Sequence, residues 1–282
     1  MLRCGLLAMV LMAASGCAAL GGTGGTMKVF VLTGGANMEG AASRFELPAA
    51  MPAAPKNVRL YGNGAWGPLL PGDGWGPELS FGRAMGEAWP GEQIGIVKFT
   101  AGGAEMEGWL PEQKTGATAP PGGTAPAGGL YPRLIAAVRQ ATQGRRALLA
   151  GVIWMQGEGD SRTEAAAKGY YERLKSLIER VRNDLSEPDL PFVIGQVNLS
   201  AAQGYAFADE VRAAQARITR EVPHVALVST DGLGLRPDGL HFDAQGLTAL
   251  GERLCAAYLV LTARDGALPP PVSFSVQVET SR

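Results

Sequence analysis

Short apolar runs recur along the chain, and each is followed by a break. The first, Lys28-Val29-Phe30-Val31-Leu32, is rich in β-branched and aromatic residues and leads into Gly34-Gly35. Such a run is typical of a strand buried inside a parallel sheet, with a tight turn at its end. Comparable runs predict further strands at 57–61, 93–99, 148–155, 191–197 and 225–230.

The segments between these runs have helical spacing. Apolar residues recur every three or four positions, as in the set Tyr170, Leu174, Leu177, Ile178 and Val181. Helices are predicted at 79–89, 130–141, 162–185, 207–221 and 244–261. Because strand and helix alternate throughout, the pattern predicts one α/β domain over residues 27–262, with a parallel sheet of about five strands between helical layers.

Other stretches lack periodicity. Glycine and proline are concentrated in 62–77 and 111–129, which we expect to be loops, the second flanking the site. The C-terminal tail, 263–282, contains Pro269-Pro270-Pro271 and then an alternating stretch. For this tail the pattern leaves two alternatives open, disorder or an added edge strand.

Residues 1–22 have the features of an export signal. Arg3 supplies a positive charge, and the apolar core from Leu6 to Met12 is too short to span a bilayer. Ala14-Ser15-Gly16-Cys17 resembles a bacterial lipobox, in which the cysteine becomes the lipidated first residue. We therefore expect an envelope protein anchored to a membrane through Cys17. An ordinary signal peptide cut near Ala18-Ala19 is the alternative.

Composition narrows the possible partners. The 282 residues are 46% hydrophobic and 18% charged with a net charge of −1, which is typical of a globular protein and disfavours a nucleic-acid partner. Of the three cysteines, Cys4 and Cys17 lie in the signal segment. Cys255 is left alone in an apolar helical run, so it has no intrachain disulfide partner and is expected to be a buried, inert thiol.

Polar residues follow several of the predicted strands, and a further motif comes late in the chain. The relevant strings are Gly34-Gly35-Ala36-Asn37-Met38, Thr100-Ala101-Gly102-Gly103-Ala104, Trp154-Met155-Gln156-Gly157-Glu158 and Asp238-Gly239-Leu240-His241. Parallel strands bring their carboxyl ends to one edge of the sheet, where open α/β sheets bind ligands. In Asp-x-x-His, an imidazole can take a proton while the carboxylate fixes its tautomer.

In this order the four strings resemble those of the SGNH hydrolases, closest to the sialate O-acetylesterase and acetylxylan esterase branch (carbohydrate esterase family six). Trp154-Met155-Gln156-Gly157-Glu158 is the most specific of them. The resemblance covers about Lys28 to Tyr258 and implies a flavodoxin-like three-layer α/β/α sandwich. It also implies acetylated carbohydrate as the ligand, and no metal or organic cofactor.

The resemblance assigns roles to individual residues. His241 and Asp238 correspond to the base and its orienting carboxylate, and Gly103 and Gln156 to oxyanion-hole donors; Asn37 and Glu78 fall among residues that bind substrate or shape the site. Two structural alternatives remain open. Gln156 could tie loops together, and Glu78 could compensate charge at a helix N-terminus.

Ala36 departs from the family pattern. The branch reads Gly-Gln-Ser-Asn-Met at this point, so this chain has Gly35 for glutamine and Ala36 for the nucleophilic serine. A methyl group cannot attack a carbonyl, and losing the nucleophile of a serine triad costs about 10⁶ in rate.

Three explanations for Ala36 remain open. The protein has lost turnover but still binds acetylated sugars; it hydrolyses them by another route; or the serine was replaced deliberately to trap substrate. The other route would use water activated by His241, or a hydroxyl such as that of Thr33 or Ser43. Outside this class, the fold could serve only as a carbohydrate-binding or protein-interaction scaffold at the cell surface.

Overall fold

One twisted sheet organises the chain. The computed structural model describes residues 25–49, 51, 54–72, 74–110, 129–263 and 278–280. Within these ranges the strands are Met27–Gly34 (β1), Val58–Gly62 (β2), Ala65–Pro68 (β3), Gln93–Thr100 (β4), Ala147–Met155 (β5), Phe192–Gly195 (β6), Val225–Val228 (β7) and Val278–Thr280 (β8).

The strand order is β3-β2-β4-β1-β5-β6-β7-β8. The six inner strands, β2, β4, β1, β5, β6 and β7, are parallel to one another. The two edge strands, β3 and β8, run antiparallel to their neighbours. The sheet is therefore wider than the predicted five or so strands. Residues 278–280 of the tail add an edge strand, while residues 264–277 lie outside the described part.

Helices cover both faces of the sheet. They are Ala36–Glu39 (α1), Glu78–Ala88 (α2), Leu130–Thr142 (α3), Glu164–Leu185 (α4), Ala208–Glu221 (α5) and Ala244–Ala263 (α6). Alternate residues of β1 point to opposite faces, so Val29 and Val31 pack with α3, α4 and α5, whereas Phe30 and Leu32 pack with α2 and α6. This confirms the predicted α/β/α sandwich.

Helices α2 and α6 approach each other closely at a glycine. A Cβ on Gly251 of α6 would lie 2.1 Å from Oγ of Ser80 and 2.3 Å from the carbonyl oxygen of Pro77. Nearby, Cys255 is fully buried and its thiol lies 3.3 Å from the sulfur of Met85, as expected for an inert cysteine. Burial raises the pKa of this thiol to about 12, which keeps it protonated.

Several expectations fall outside the described residues, namely the signal segment with Cys17 and nearly all of the predicted 111–129 loop. In the part of the chain that is described, no helix is both long and apolar enough to cross a membrane.

Candidate functional site

The site is built where three adjacent strands end. In the sheet, β1 lies between β4 and β5, so the first three motifs meet at one edge. Their loops are joined by backbone bonds, since Gly35 N–H donates to the Met155 carbonyl at 2.8 Å and Ala101 N–H to the Gly34 carbonyl at 2.9 Å. We call this edge, together with the loop that carries His241, the crevice.

Glycine is required where β1 enters the crevice. Gly34 has φ of +138°, and a Cβ there would lie 2.0 Å from the Met155 carbonyl oxygen. Directly after it, Gly35 caps the short helix α1, and Ala36 is its first residue. Ala36 is partly exposed, and its N–H, in the first turn, has no acceptor within the helix. Ala36, which the resemblance aligns with the nucleophilic serine, is therefore partly exposed in the first turn of α1 and carries a methyl group.

His241 and Asp238 form the predicted pair. Nδ1 of His241 lies 2.8 Å from Oδ2 of Asp238, and the other oxygen, Oδ1, accepts the backbone N–H groups of Leu240 and His241 at 2.9 and 3.0 Å. Partial burial acts to raise the pKa of Asp238, but these hydrogen bonds outweigh it and lower the pKa to about 2. Asp238 is thus ionised at neutral pH and holds the imidazole with Nε2 free to accept a proton.

The loop around His241 is braced from several sides. The carbonyl of His241 accepts the N–H of Arg236 at 2.8 Å, and the guanidinium of Arg236 donates to the Ala41 carbonyl at 2.7 Å and to the carboxylate of Glu46. Gln203 donates to the Gly239 carbonyl at 2.6 Å. The loop therefore has a defined position relative to the segment that follows α1.

Asn37 connects this loop to the first motif. Its Nδ2 donates to Oε1 of Glu158 at 3.0 Å and to the Leu240 carbonyl at 3.1 Å, and its Oδ1 accepts the Phe242 N–H at 3.0 Å. The side chain is only 4% exposed. Sequence reasoning placed Asn37 among oxyanion or substrate-binding residues, but in this arrangement both of its N–H groups are engaged by the protein.

Gln156 is likewise engaged. Its amide is fully buried, and Nε2 donates to the Ala104 carbonyl at 3.0 Å and to Oδ2 of Asp160 at 2.7 Å. This geometry corresponds to the alternative in which Gln156 ties loops together. A role as oxyanion donor, as the resemblance implies, requires one of these two bonds to open, because an amide nitrogen has only two hydrogens.

Asp160 is a site residue that sequence reasoning missed. The same oxygen that accepts from Gln156 accepts the N–H of Met106 at 2.8 Å, so this buried carboxylate joins the second and third motifs. Burial raises its pKa to about 6, against the lowering effect of these hydrogen bonds and of Arg173. In the sequence, the only indication of this role was that Asp160 follows Gln156 by four residues, in the loop after β5.

Gly103 and Glu78 occupy different environments. Gly103 is exposed at the turn after β4, with φ of +76°, and its role as an oxyanion donor stays a prediction. Glu78 is 5% exposed; it accepts the Gly76 N–H, and its Oε2 lies 2.7 Å from Nζ of Lys98. Lys98 also donates to the Glu39 carbonyl, so Glu78 contacts the end of α1 through Lys98. Glu78 is in addition the first residue of α2.

The two hydroxyls considered as substitutes for serine are engaged elsewhere. Thr33 is 1% exposed and donates to the Phe99 carbonyl at 2.6 Å. Ser43 begins a 3₁₀ turn at Arg44–Glu46, where its Oγ accepts the Phe45 N–H at 3.3 Å. The Thr33 hydroxyl is thus committed to a strand carbonyl, whereas the Ser43 oxygen accepts a bond at a turn; the use of Ser43 in place of a serine at position 36 stays a prediction. Among the described residues, no three or more His, Cys, Asp or Glu side chains are grouped as metal ligands would be.

Comparison with solved structures shows the same fold in other proteins. A protein from Arabidopsis thaliana is 25% identical with a TM-score of 0.69, covering 83% of this chain and 98% of that one. NanS is 16% identical with a TM-score of 0.65, covering 85% and 98%. XAC1771, a carbohydrate acetylesterase from Xanthomonas citri, is 22% identical with a TM-score of 0.63, covering 84% of this chain but 57% of its own length.

The sequence itself matches a family model described as carbohydrate esterase, sialic acid-specific acetylesterase, over residues 26–260. That range contains β1, Ala36 at the start of α1, the loops of Gly103 and Gln156, and the His241–Asp238 pair. With most of the chain matched and the sandwich fold in place, this protein belongs to the sialic acid-specific acetylesterase family of carbohydrate esterases.

Proposed function

We propose that this protein binds O-acetylated carbohydrate in the crevice and has lost serine-dependent turnover. The observation that carries the proposal is the intact pair of His241 and ionised Asp238 in a chain whose nucleophile position is Ala36. A site with its base held in place, but without a nucleophile, can still recognise an ester.

Chemistry and family both support an ester ligand. Gly103 is exposed in the turn after β4, and the Ala36 N–H in the first turn of α1 has no acceptor within the helix; we expect these two N–H groups to donate to the carbonyl oxygen of the ester. Family membership makes acetylated sugars the ligand class to test, and the similar protein XAC1771 is described as a carbohydrate acetylesterase.

A second candidate is slow hydrolysis by water. Asp238 occupies Nδ1 of His241 and leaves Nε2 as a proton acceptor, while the His241 side chain is 29% exposed. A water molecule bound beside Ala36 would attack the acetyl carbonyl and give one proton to Nε2. The tetrahedral intermediate would then break its bond to the sugar oxygen, which takes that proton from the imidazolium, and acetate would be released. This route predicts acetate release that requires His241 but no serine.

The test compares the parent with Ala36→Ser and His241→Ala. Acetate release is measured from p-nitrophenyl acetate and acetylated xylan, and binding of acetylated xylo-oligosaccharides by calorimetry. We expect the parent to bind without turnover, and Ala36→Ser to gain at least about 10³-fold in acetate release, because the serine hydroxyl would give its proton to His241. Ala36→Ser/His241→Ala is the control and should lose that gain.

Other outcomes distinguish the alternatives. Parent turnover that His241→Ala abolishes would favour the water route. A parent that neither binds nor hydrolyses the acetylated sugars, with Ala36→Ser equally inert, would leave the fold as a scaffold for other partners and contradict the proposal.

We further propose that the protein acts in the bacterial cell envelope, anchored through a lipid on Cys17. The motif Ala14-Ser15-Gly16-Cys17 supports this, and the glycine-rich segment after it would serve as a tether. An anchored esterase-fold domain would meet polysaccharide at the cell surface.

A further inference from the structure

We infer that Asn37 and Glu158 together form a positioning device for His241. Asn37 bonds to the residues on both sides of His241, namely to the carbonyl of Leu240 and the N–H of Phe242. It follows Ala36 directly in the chain. The backbone that carries the imidazole is thereby fixed to the nucleophile position. Asn37 acts through the loop and not on substrate, because its polar atoms are used within the protein.

Three neighbours determine which way the amide of Asn37 faces. The Leu240 carbonyl and the Glu158 carboxylate are acceptors and require the Nδ2 side, whereas the Phe242 N–H is a donor and requires Oδ1. Turning the amide over would place oxygen against both acceptors and nitrogen against a donor. Because Asn37 is only 4% exposed, water cannot replace the hydrogen bonds that the turned amide would lose. The bond to Glu158 therefore favours a single orientation of the amide.

Gly35 lies beside the bond between Asn37 and Glu158. A Cβ at position 35 would lie 3.3 Å from Oε2 of Glu158 and 3.8 Å from Cγ of Gln156. The backbone of Gly35 is extended (φ −88°), so other residues could adopt it. The 3.3 Å approach is a tight contact that a small shift of the Glu158 carboxylate would relieve. Since the family pattern combines glutamine at this position with the same asparagine, the bond between Asn37 and Glu158 does not depend on Gly35.

The inference rests on the proposed function only for the role of His241 as the base of the site. Its test measures the position of the imidazole and does not require turnover. The chain has two histidines, so the imidazole NMR signals of the whole protein come from His241 and His224, and His224 serves as the internal reference. The probe is the Nδ1–H proton of His241, which is hydrogen-bonded to Asp238 and therefore observable downfield.

Asn37→Ala is the main variant, and Asn57→Ala is the matched control. The Nδ2 group of Asn57 lies within hydrogen-bond distance of three carbonyl oxygens, those of Gly86, Trp89 and Glu92, which share its two hydrogens at the opposite end of β2 from the crevice. We expect Asn37→Ala to broaden or remove the downfield signal of His241 while His224 is unchanged. Asn57→Ala should lower Tm to a similar extent and leave the His241 signal intact.

A second pair of variants remains informative if Asn37→Ala does not fold. Asn37→Asp keeps an oxygen that accepts the Phe242 N–H, but it places a second carboxylate against that of Glu158. Adding Glu158→Gln restores a hydrogen bond between positions 37 and 158, in which the glutamine amide donates and the aspartate accepts. We expect the double variant to recover part of the His241 signal that Asn37→Asp alone loses. In the Ala36→Ser background, if it is active, Asn37→Ala should lower kcat by about 10²-fold with little change in KM, as expected for a displaced catalytic group.

Two results would overturn the inference: an unchanged His241 signal in Asn37→Ala, or an equal loss in Asn57→Ala at matched Tm. Failure of the proposed function looks different. In that case neither the parent nor Ala36→Ser would bind or cleave acetylated sugars, yet the NMR comparison would still give its answer.

Discussion

At the scale of single residues, the contact between Asp238 and His241 is local. Within the described part of the chain, the carboxylate of Asp238 accepts hydrogen bonds from residues within three positions of it, the Leu240 and His241 N–H groups and the His241 ring. Replacing a serine by alanine two hundred positions away removes none of these bonds. The geometry of this pair is therefore independent of whether residue 36 is serine or alanine.

This local geometry predicts an unusually acidic Asp238. Its ordinary pKa of 3.8 falls to about 2 in the folded protein, so the carboxylate stabilises the fold above pH 3.8 and that contribution is lost as pH falls through about 2. A ¹³C-carboxyl NMR titration should show Asp238 ionised at pH 3. In His241→Ala its pKa should rise, and an unshifted titration in that variant would mean that the ring contributes nothing.

Asp160 predicts the opposite dependence on pH. Its pKa is raised from 3.8 to about 6, so the folded state holds the proton that the unfolded chain has already released. Its favourable contribution is complete below about pH 4 and declines as pH rises through 6. Urea unfolding measures the free energy of unfolding at pH 4 and at pH 7. Between these two pH values the parent should lose a few kcal/mol more of this free energy than Asp160→Asn does. Parallel curves for the two proteins would contradict this.

At the scale of elements, most strands and helices follow from periodicity, and the differences have local causes. The antiparallel strand β3 was predicted as part of a loop because Ala65–Pro68 is too short for an alternating pattern. The signal was in the turn before it: Asn63 and Gly64 both have positive φ, 51° and 77°, and Asn-Gly is a frequent hairpin turn. A strand at a sheet edge needs little apolar sequence, since only one side of it is paired.

Contact between α2 and α6 gives a prediction about glycine. Alanine ordinarily stabilises a helix interior by about 1 kcal/mol over glycine, but Gly251→Ala would place a methyl group against the backbone of α2. We expect Gly251→Ala to cost about 1–3 kcal/mol through overpacking and therefore to lower Tm by about 2–12 °C. Differential scanning calorimetry would measure the change.

The control for that prediction is Gly169→Ala in α4. There the nearest atoms to a Cβ belong to the guanidinium of Arg173, at 2.4 Å, the end of a long side chain that can move. Its Tm should change little or rise. Equal losses of Tm in both variants would show that backbone conformation, and not the α2–α6 contact, decides the outcome.

At the scale of the whole molecule, the site lies where parallel-sheet topology places it, at the carboxyl ends of β4, β1 and β5. Position was predictable because the four motifs keep their order along the chain. The roles of Gln156 and Asn37 were harder to predict, because a sequence shows that an amide is present but not which partners occupy it. Both amides are occupied by groups from other loops, the Ala104 and Leu240 carbonyls.

Anchoring of the whole molecule is tested by metabolic labelling with an alkyne fatty acid in a bacterial host. The parent should be labelled and pellet with membranes, and Cys17→Ser should not be labelled. Cys4→Ser is the matched control, since it removes the other cysteine of the predicted signal and should leave labelling intact. Label that survives in Cys17→Ser would disprove the anchor at this position.

The bonds of Asn37 also bear on how the protein is made. Asn37 leaves the ribosome early, but Phe242, which satisfies its oxygen, is 205 positions later in the chain. Until that late segment emerges, the asparagine must stay in contact with solvent or with a chaperone, because burying it unpaired would cost about 1–3 kcal/mol. The crevice therefore cannot be completed until the chain up to Phe242 is present, and a chain truncated before His241 should show protease sensitivity in the segment after β1.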